Sequence, residues 1–206
     1  ALAAPYPAAE RQPPSNYKNA DAIERWHEKD RAEWQASRVK ACSLDPRLGR
    51  IVTVGLNDVT ITAERETAEA ALLCGFWKNV AEHGGRVVTF NGSFDLRFLV
   101  LRSLANGMEP TISPAVVRDW FARYRVRPHF DCRGVLTNWE RSATGTLTEW
   151  ASFFGLSADD QRSGADVFEL YQAGNFDAIA NHCRADLALT GGIYKRLQPM
   201  FGCVEG

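Results

Sequence analysis

VVTFNGSFDLRFLVLRSL, residues 87 to 104, contains the junction on which the predicted fold depends. Its first residues are β-branched or aromatic and predict a short buried strand that ends at Phe90. A helical spacing of apolar residues begins near Phe94, so a single carboxylate, Asp95, falls at the start of the helix. The helix dipole alone would favour an acid there. The carboxyl end of a strand in an α/β sheet is, however, also where ligand sites tend to lie.

The segments around this junction predict an α/β fold. GRIVTVGL and VTITA are β-branched runs joined by Asn57 and Asp58, which is typical of a hairpin. ETAEAALLCGFWKNVAEH, residues 66 to 83, predicts an amphipathic helix before the strand RVVTF, and HFDCRGVL predicts a further short strand and turn. Because strands alternate with helices, we expect a later strand to lie parallel to a neighbour, with helices on the faces of the sheet.

Length and composition favour one globular domain over residues 1–206, in which residues 1–18 form an extended arm or a truncated first strand and loop. No apolar run is long enough to cross a bilayer, and the opening ALAAPYPAAERQPP lacks the pattern of a secretory signal. We therefore expect a soluble, intracellular (cytoplasmic) protein without a membrane partner. Five scattered cysteines without a Cys-x-x-Cys pair indicate reduced thiols. Nothing in the sequence indicates whether a homo-oligomer forms.

The net charge of −1 excludes a protein that is strongly basic as a whole. A nucleic-acid partner would therefore have to be held by a local stripe of basic residues or by bound metal ions. RDWFARYRVRPH, residues 118 to 129, offers such a stripe, with four arginines interleaved with three aromatic residues. A solvated amphipathic helix whose aromatic residues face the core explains the same pattern equally well.

The last helical segment carries two ionisable residues on an otherwise apolar face. Spacings of three and four place five residues on this face: Ile179, His182, Asp186, Leu189 and Ile193. A buried carboxylate is costly unless it is paired or binds a metal. Asp186 therefore either has a partner, such as Arg184 or Arg196, or the apolar face is tilted so that Asp186 points to water.

Two segments together resemble a known family. TFNGSFDLRFL is similar to the second motif of the DEDD (DnaQ-like) 3′–5′ exonucleases, in the form found in family B DNA polymerase proofreading domains and their stand-alone relatives. IANHCRADLALTGGIYKRL resembles the third motif, SLDPRLGRIVTVGL the segment that leads into the second strand, and GTLTEWASFFGL the helix before the third motif. The resemblance covers the chain from about Ser43 to Leu197.

The resemblance implies a ribonuclease-H-like mixed β-sheet flanked by α-helices and a nuclease site. Asp95 and Asp186 would hold two divalent metal ions, Mg²⁺ or Mn²⁺, which suit oxygen ligands and phosphodiester hydrolysis. Asn91, Ser93 and Phe94 would lie near the terminal nucleotide of the substrate.

The first motif of the family, Asp-x-Glu, has no counterpart before the segment at Ser43. Ala1 and Ala3 have its spacing and precede a proline-containing stretch. Two hypotheses remain: these alanines replace the two acids in an inactivated protein, or the sequence starts late or belongs to a degenerate relative.

A second departure concerns His182. In the family a tyrosine lies four residues before the last aspartate or a histidine lies five before it, whereas here His182 lies four before Asp186 and Asn181 five before. One helical turn from Asp186, the imidazole is placed to take a proton from an attacking water, which is the role expected of a third catalytic residue beside Asp95 and Asp186. The alternative is a packed histidine bonded to a backbone carbonyl.

The resemblance predicts a 3′–5′ exonuclease acting on single-stranded ends, with DNA favoured over RNA because the likeness is to polymerase proofreading domains. The chain as written is expected to be impaired. The main alternative is a catalytically silent nucleic-acid-binding or assembly module with the same fold. A more distant alternative is an unrelated α/β phosphohydrolase of small molecules.

Overall fold

A computed structural model describes residues 6–7, 10–57, 59–62, 68–140, 142–157 and 164–202. The chain divides into two compact units, Ala1–Arg50 and Ile51–Gly206. The prediction of a single domain over residues 1–206 stays a prediction.

The first unit is built around one long helix, α1 (Ala20–Leu44). The helix begins where the Asn19 side chain accepts a hydrogen bond from the backbone N–H of Asp21 at 2.9 Å. Arg11, from the segment before the helix, forms an ion pair with Asp30 at 2.8 Å. The described part of residues 1–18 has no strand, and the truncated-strand alternative falls partly on residues outside the described ones.

The second unit alternates short strands with helices, as predicted. Its elements in chain order are β1 (Thr53–Leu56), β2 (Val59–Thr62), α2 (Glu69–Glu82), β3 (Val87–Thr89), α3 (Gly92–Ala105), α4 (Pro114–Asp119), β4 (His129–Asp131), α5 (Cys132–Leu136), α6 (Leu147–Phe153), a 3₁₀ turn (Gly164–Asp166), α7 (Val167–Gln172) and α8 (Phe176–Phe201). The architecture of the described residues is therefore mixed α/β, with small sheets and packed helices.

The described strands pair into two sheets of two strands each. β1 and β2 form the predicted antiparallel hairpin, with Thr53 opposite Thr62. β3 pairs with β4 in parallel, with Val87 opposite His129 and Thr89 opposite Asp131. The predicted parallel neighbour of the later strand is thus confirmed, whereas one continuous ribonuclease-H-like sheet stays a prediction.

The second unit has two clusters of buried apolar side chains. The first contains residues of β1, α2 and α3 together with Trp120, whose ring stacks on Trp77 at a centroid distance of 5.7 Å. The second joins β4, α5, α6 and α8, where Ile193 is fully buried. α8 packs against both sheets, and its predicted apolar face is confirmed, because Ile179, Leu189 and Ile193 are all buried.

The alternative prediction of an amphipathic helix at residues 118 to 129 is wrong. α4 ends at Asp119, and the described residues that follow adopt turns and bends until β4. Trp120 is buried and donates its indole N–H to the carbonyl of Gly85 at 2.8 Å, while Tyr124 has a positive φ of 62°, which no continuing α-helix allows. Only one of the three aromatic residues therefore belongs to the core, and Phe121 and Tyr124 stay exposed.

Among the described helices, none has the length and apolar character needed to span a membrane.

Candidate active site

Asp95 lies at the predicted position, in the first turn of α3 directly after β3. The backbone N–H groups of Phe94 and Asp95 donate to the carbonyl of Asn91 at 2.9 and 3.2 Å, which closes the first turn. The Asn91 side chain makes no capping hydrogen bond among the described residues; its carbonyl accepts from the Ser93 hydroxyl at 3.0 Å. The acid is therefore held by the strand-to-helix turn rather than by a side-chain cap.

The parallel pairing of β3 with β4 places a second acid at the same edge. Because Thr89 is opposite Asp131, the two strands end together, and α3 and α5 both start at this edge. Asp131 is buried and accepts a hydrogen bond from the backbone N–H of Gly134 at 2.9 Å, which caps α5. Asp131 therefore caps this helix, and its charge also acts on Asp95.

α8 contributes His182 and Asp186 to the site. His182 is buried, and its Nε2 lies 3.8 Å from Oδ2 of Asp186, one helical turn further on. The Asp186 side chain is 49% exposed. The apolar face of α8 thus opens to solvent at Asp186, so the carboxylate avoids the cost of full burial while it stays next to the imidazole.

The three aspartates interact electrostatically. Desolvation by the surrounding protein, followed by the nearby charges of Asp131 and Asp186, raises the pKa of Asp95 to about 7. The residue is nevertheless accessible to solvent. Its raised pKa therefore combines desolvation of the carboxyl group with repulsion from two neighbouring carboxylates, a combination found at functional sites. Whether Asp95 and Asp186 lie within metal-bridging distance stays a prediction.

A buried histidine supports the turn that presents Asp95. His129 Nδ1 lies 2.7 Å from the carbonyl of Trp120, and Nε2 lies 2.8 Å from the Thr89 hydroxyl. Burial lowers the pKa of His129, so Nδ1–H donates to the carbonyl and the neutral ring accepts from Thr89. A Cβ on Gly92 would overlap the imidazole. This close approach explains why a glycine stands at the start of α3.

Sequence reasoning missed two contributors to the site. Cys183 adjoins His182 on α8, and burial raises the pKa of its thiol, although a hydrogen bond with Thr53 acts in the opposite direction. A Cβ on Gly55 of β1 would collide with Cys183 and Leu187, so the glycine allows α8 to approach the hairpin closely. The only feature of the sequence that could have indicated this close packing was a glycine within a β-branched run.

The predicted substrate-binding residues surround the start of α3. Asn91 is partly buried, whereas Ser93 and Phe94 are exposed, and Phe94 packs against Phe98 with ring centroids 5.9 Å apart. All three are accessible beside Asp95, but their role in binding stays a prediction. The positions of the first motif, Ala1 and Ala3, lie outside the described residues.

The donor chemistry of the site suits a hard cation only in part. Carboxylate oxygens are the ligands that Mg²⁺ and Mn²⁺ prefer, and Asp95 and Asp186 would supply them. Within the described ranges, however, no group of three or more histidine, cysteine, aspartate or glutamate side chains is arranged to hold a metal ion. These residues therefore form a partial ligand set.

The raised pKa of Asp95 predicts how stability depends on pH in metal-free protein. Native Asp95 keeps its proton up to about pH 7, whereas an unfolded aspartate loses it near pH ~4. The native state binds more protons in this window, so stability falls as the pH rises from about 4 to about 7 and then levels off. In EDTA, Asp95→Asn should match the parent at pH 4 and exceed its melting temperature at pH 8.

Asp177→Asn provides the matched control, because Asp177 is an exposed acid in the first turn of α8. Its charge is favoured by the helix dipole, so the substitution should leave stability at pH 8 unchanged or slightly lower. A melting temperature of Asp95→Asn below that of the parent at pH 8 would contradict a raised pKa for Asp95 in the native protein.

Comparison with known proteins identifies the family. Residues 47–206 match a family model described as a predicted 3′–5′ exonuclease related to the exonuclease domain of PolB. An uncharacterised protein of Methanocaldococcus jannaschii is 30% identical over 172 residues, which cover 77% of this chain and 92% of that protein. No solved structure gives a significant match. The chain therefore belongs to the family of predicted 3′–5′ exonucleases related to the exonuclease domain of PolB.

Proposed function

We propose that this protein is a metal-dependent 3′–5′ exonuclease-type domain of the DEDD superfamily that acts on the 3′ ends of single-stranded DNA. Its fold would be ribonuclease-H-like, with Asp95, His182 and Asp186 as catalytic residues. With alanine at positions 1 and 3, the chain would bind metal weakly and cut little or not at all.

One observation carries this proposal: two acids distant in sequence raise the pKa of Asp95, and one of them, Asp186, lies one helical turn from the buried His182. Asp95 follows β3, Asp131 ends β4 and Asp186 lies on α8, and both other acids raise the pKa of Asp95. Carboxylates that repel one another lower the stability of the metal-free fold, so packing alone does not favour this arrangement. A function that needs concentrated negative charge does favour it.

Each residue has a role in the proposed chemistry. Asp95 and Asp186 would hold divalent cations, which, when bound, supply the positive charge that phosphodiester hydrolysis needs. His182, held one turn from Asp186, would take a proton from the attacking water. Asn91, Ser93 and Phe94, at the exposed start of α3, would position the terminal nucleotide.

The main rival is a silent nucleic-acid-binding or assembly module with the same fold. The partial ligand set of the described residues and the alanines at positions 1 and 3 favour it. Activity separates the two functions, because a silent module holds single-stranded ends but releases no nucleotides.

The direct test is a 5′-labelled single-stranded oligonucleotide incubated with Mg²⁺ or Mn²⁺, with products separated by length. Stepwise shortening from the 3′ end, in the chain that carries Ala1→Asp and Ala3→Glu, would support the proposal. An RNA strand of the same sequence tests the preference for DNA. Release of phosphate from small phosphoesters without shortening would instead favour a phosphohydrolase.

Loss of the imidazole of His182 should slow cleavage strongly. In the chain that carries Ala1→Asp and Ala3→Glu, His182→Ala is expected to reduce the rate by about 10²- to 10⁴-fold, the usual contribution of a positioned general base. Binding of Mn²⁺, measured by titration, should change little. The rate of the variant should also lose the pH dependence that a general base gives.

His83→Ala is the control, because His83 is exposed and bonded to the carbonyl of Asn79 at 2.8 Å on α2. An unchanged cleavage rate for His182→Ala would show that the histidine is a packed, structural residue.

A further inference from the structure

Tyr124 and Trp139 form an exposed aromatic pair that the proposed catalytic residues do not include. Their ring centroids lie 5.3 Å apart at an interplanar angle of 57°. The guanidinium of Arg123 lies over the Tyr124 ring, 5.4 Å from its centroid, and donates a hydrogen bond to the carbonyl of Trp139. Trp139 is partly buried against the second apolar cluster, whereas Tyr124 is 65% exposed. A supported ring is thus presented to solvent.

The backbone of Tyr124 indicates that stability does not explain this residue. Its φ of 62° lies in the left-handed region, which is unfavourable for a residue with a side chain and suits glycine. Asn138 and Trp139 also have positive φ values, of 50° and 56°. Three of the four such non-glycine residues in the described part of the chain therefore surround this pair. A large aromatic side chain at a position suited to glycine, with little burial, indicates a role at the surface.

The charge around the pair suits a polyanion. Residues 118 to 129 contain four arginines and a single acid, Asp119, although the whole chain has a net charge of −1. Arg125 forms an ion pair with Asp119 at 3.4 Å, but both side chains are largely exposed, so the pair is weak and exchanges readily with other anions. Exposed aromatic rings interleaved with arginines are the surface that single-stranded nucleic acids use.

Two direct contacts and one electrostatic interaction link the pair to the carboxylates. Trp139 packs on Gly134 so closely that a Cβ there would lie 2.7 Å from its Nε1. The N–H of the same glycine donates to Asp131, whose charge acts on Asp95. The aromatic pair therefore lies against α5, the helix that Asp131 caps.

We propose that Tyr124, supported by Trp139, stacks with an unpaired base of a single-stranded nucleic acid whose 3′ end lies at the carboxylates, while Arg123 and Arg125 offer charge to its phosphates. This inference rests on the proposed function and deepens it. It assigns the strand a path from the candidate site across the segment between α4 and β4. Stacking of this kind requires no particular base, because every base has an aromatic face.

The test measures binding of a fluorescent single-stranded oligonucleotide by anisotropy, in EDTA so that no cleavage occurs. Tyr124→Gly should bind about 5- to 150-fold more weakly, the range expected for one lost base stack. Its melting temperature should equal or exceed that of the parent, because glycine relieves the left-handed φ. Tyr124→Phe keeps the ring and should bind like the parent. Phe153→Ala removes an aromatic side chain that is 73% exposed on α6 and serves as the matched control.

An oligonucleotide with abasic residues separates stacking from phosphate contacts. The parent should bind it as weakly as Tyr124→Gly binds the normal oligonucleotide, and Tyr124→Gly should show no further loss. Equal binding of the normal and abasic strands by the parent overturns the stacking proposal, whatever the melting temperatures.

The failures of the two proposals are distinguishable. If the parent binds the strand and Tyr124→Gly binds it equally well, the proposal that Tyr124 stacks with a base is overturned and the exonuclease proposal stands. If the parent does not bind the strand but the chain with Ala1→Asp and Ala3→Glu shortens it, the stacking proposal is likewise overturned and the exonuclease proposal stands. If there is neither binding nor shortening, both proposals fall.

Discussion

Replacing Ala1 by aspartate and Ala3 by glutamate is expected to convert the protein into a nuclease that shortens single-stranded DNA from its 3′ end in Mg²⁺ or Mn²⁺. With only Asp95 and Asp186, two divalent cations would face too few carboxylate ligands. The rate should rise by at least about 10²- to 10³-fold, since loss of even one preorganised charge-stabilising group typically costs that much. The measurement compares the shortening of a 5′-labelled oligonucleotide by the two chains, with any residues that the gene encodes before Ala1 retained in both.

The control adds Asp186→Asn to the two replacements. Because this side chain would hold the cation on α8, the triple variant should return to the low rate of the unaltered chain while its fold stays intact. Asp177→Asn in the same background should leave the rate high, because this acid lies at the far start of the helix.

Two outcomes would contradict the assignment of positions 1 and 3. Vigorous metal-dependent cleavage by the unaltered chain would show that the acids of the first motif are not missing. Continued inactivity of the double replacement, with single-stranded DNA still bound, would favour the silent binding module.

Replacing Arg102 by methionine should destabilise the second unit by about 3–5 kcal/mol, because it leaves a buried carboxylate without its charged partner. Glu69 is almost fully buried on α2 and accepts hydrogen bonds from Arg102 at 2.6 and 2.9 Å. Its carboxylate also accepts from the backbone N–H of Ile51 at 2.7 Å and from Asn106 at 3.2 Å. One carboxylate thus joins the start of α2, the chain before β1 and the end of α3.

Arg97→Met is the matched control, since Arg97 is an exposed arginine on the same helix. It should change the free energy of unfolding by no more than about 0.5 kcal/mol, as is usual for surface positions. Chemical denaturation at pH 7 measures both variants. A loss below about 1 kcal/mol for Arg102→Met would mean that the remaining donors satisfy Glu69, contrary to the usual cost of breaking a buried pair.

The same pair predicts a pH dependence. Burial by itself raises the pKa of Glu69, but the hydrogen bonds from Arg102, Ile51 and Asn106 outweigh burial and hold this pKa below its ordinary value. A carboxyl group with a lowered pKa contributes stability that is present above its unfolded pKa of about 4.3 and is lost as the pH falls through the folded pKa. The difference between Arg102→Met and the parent should therefore be full at pH 7 and smaller near pH 3.

Local sequence patterns predicted the structure correctly where the residues that interact are close together in the chain. The hairpin of β1 and β2 follows from two β-branched runs and a short connection at Asn57. The position of Asp95 follows from the change from a strand to a helical pattern, and the buried face of α8 follows from its helical spacing. The family was also recognisable, because its motifs are short and contiguous.

Tertiary structure decided what depends on contacts between distant segments. No local pattern indicates that Thr89 lies opposite Asp131, although this pairing puts Asp131 beside Asp95 and contributes to the raised pKa of Asp95. The same reason explains the incorrect helix at residues 118 to 129: Trp120 is fixed by stacking on Trp77 and Tyr124 by contact with Trp139, and neither partner is near in sequence. The sequence by itself therefore determined the β1–β2 hairpin, the apolar face of α8, the family and the residues at the strand-to-helix junction. The pairing of β3 with β4 and the packing of α8 decided which acids share one electrostatic environment, because a pKa depends on every charge nearby, whatever its distance along the chain.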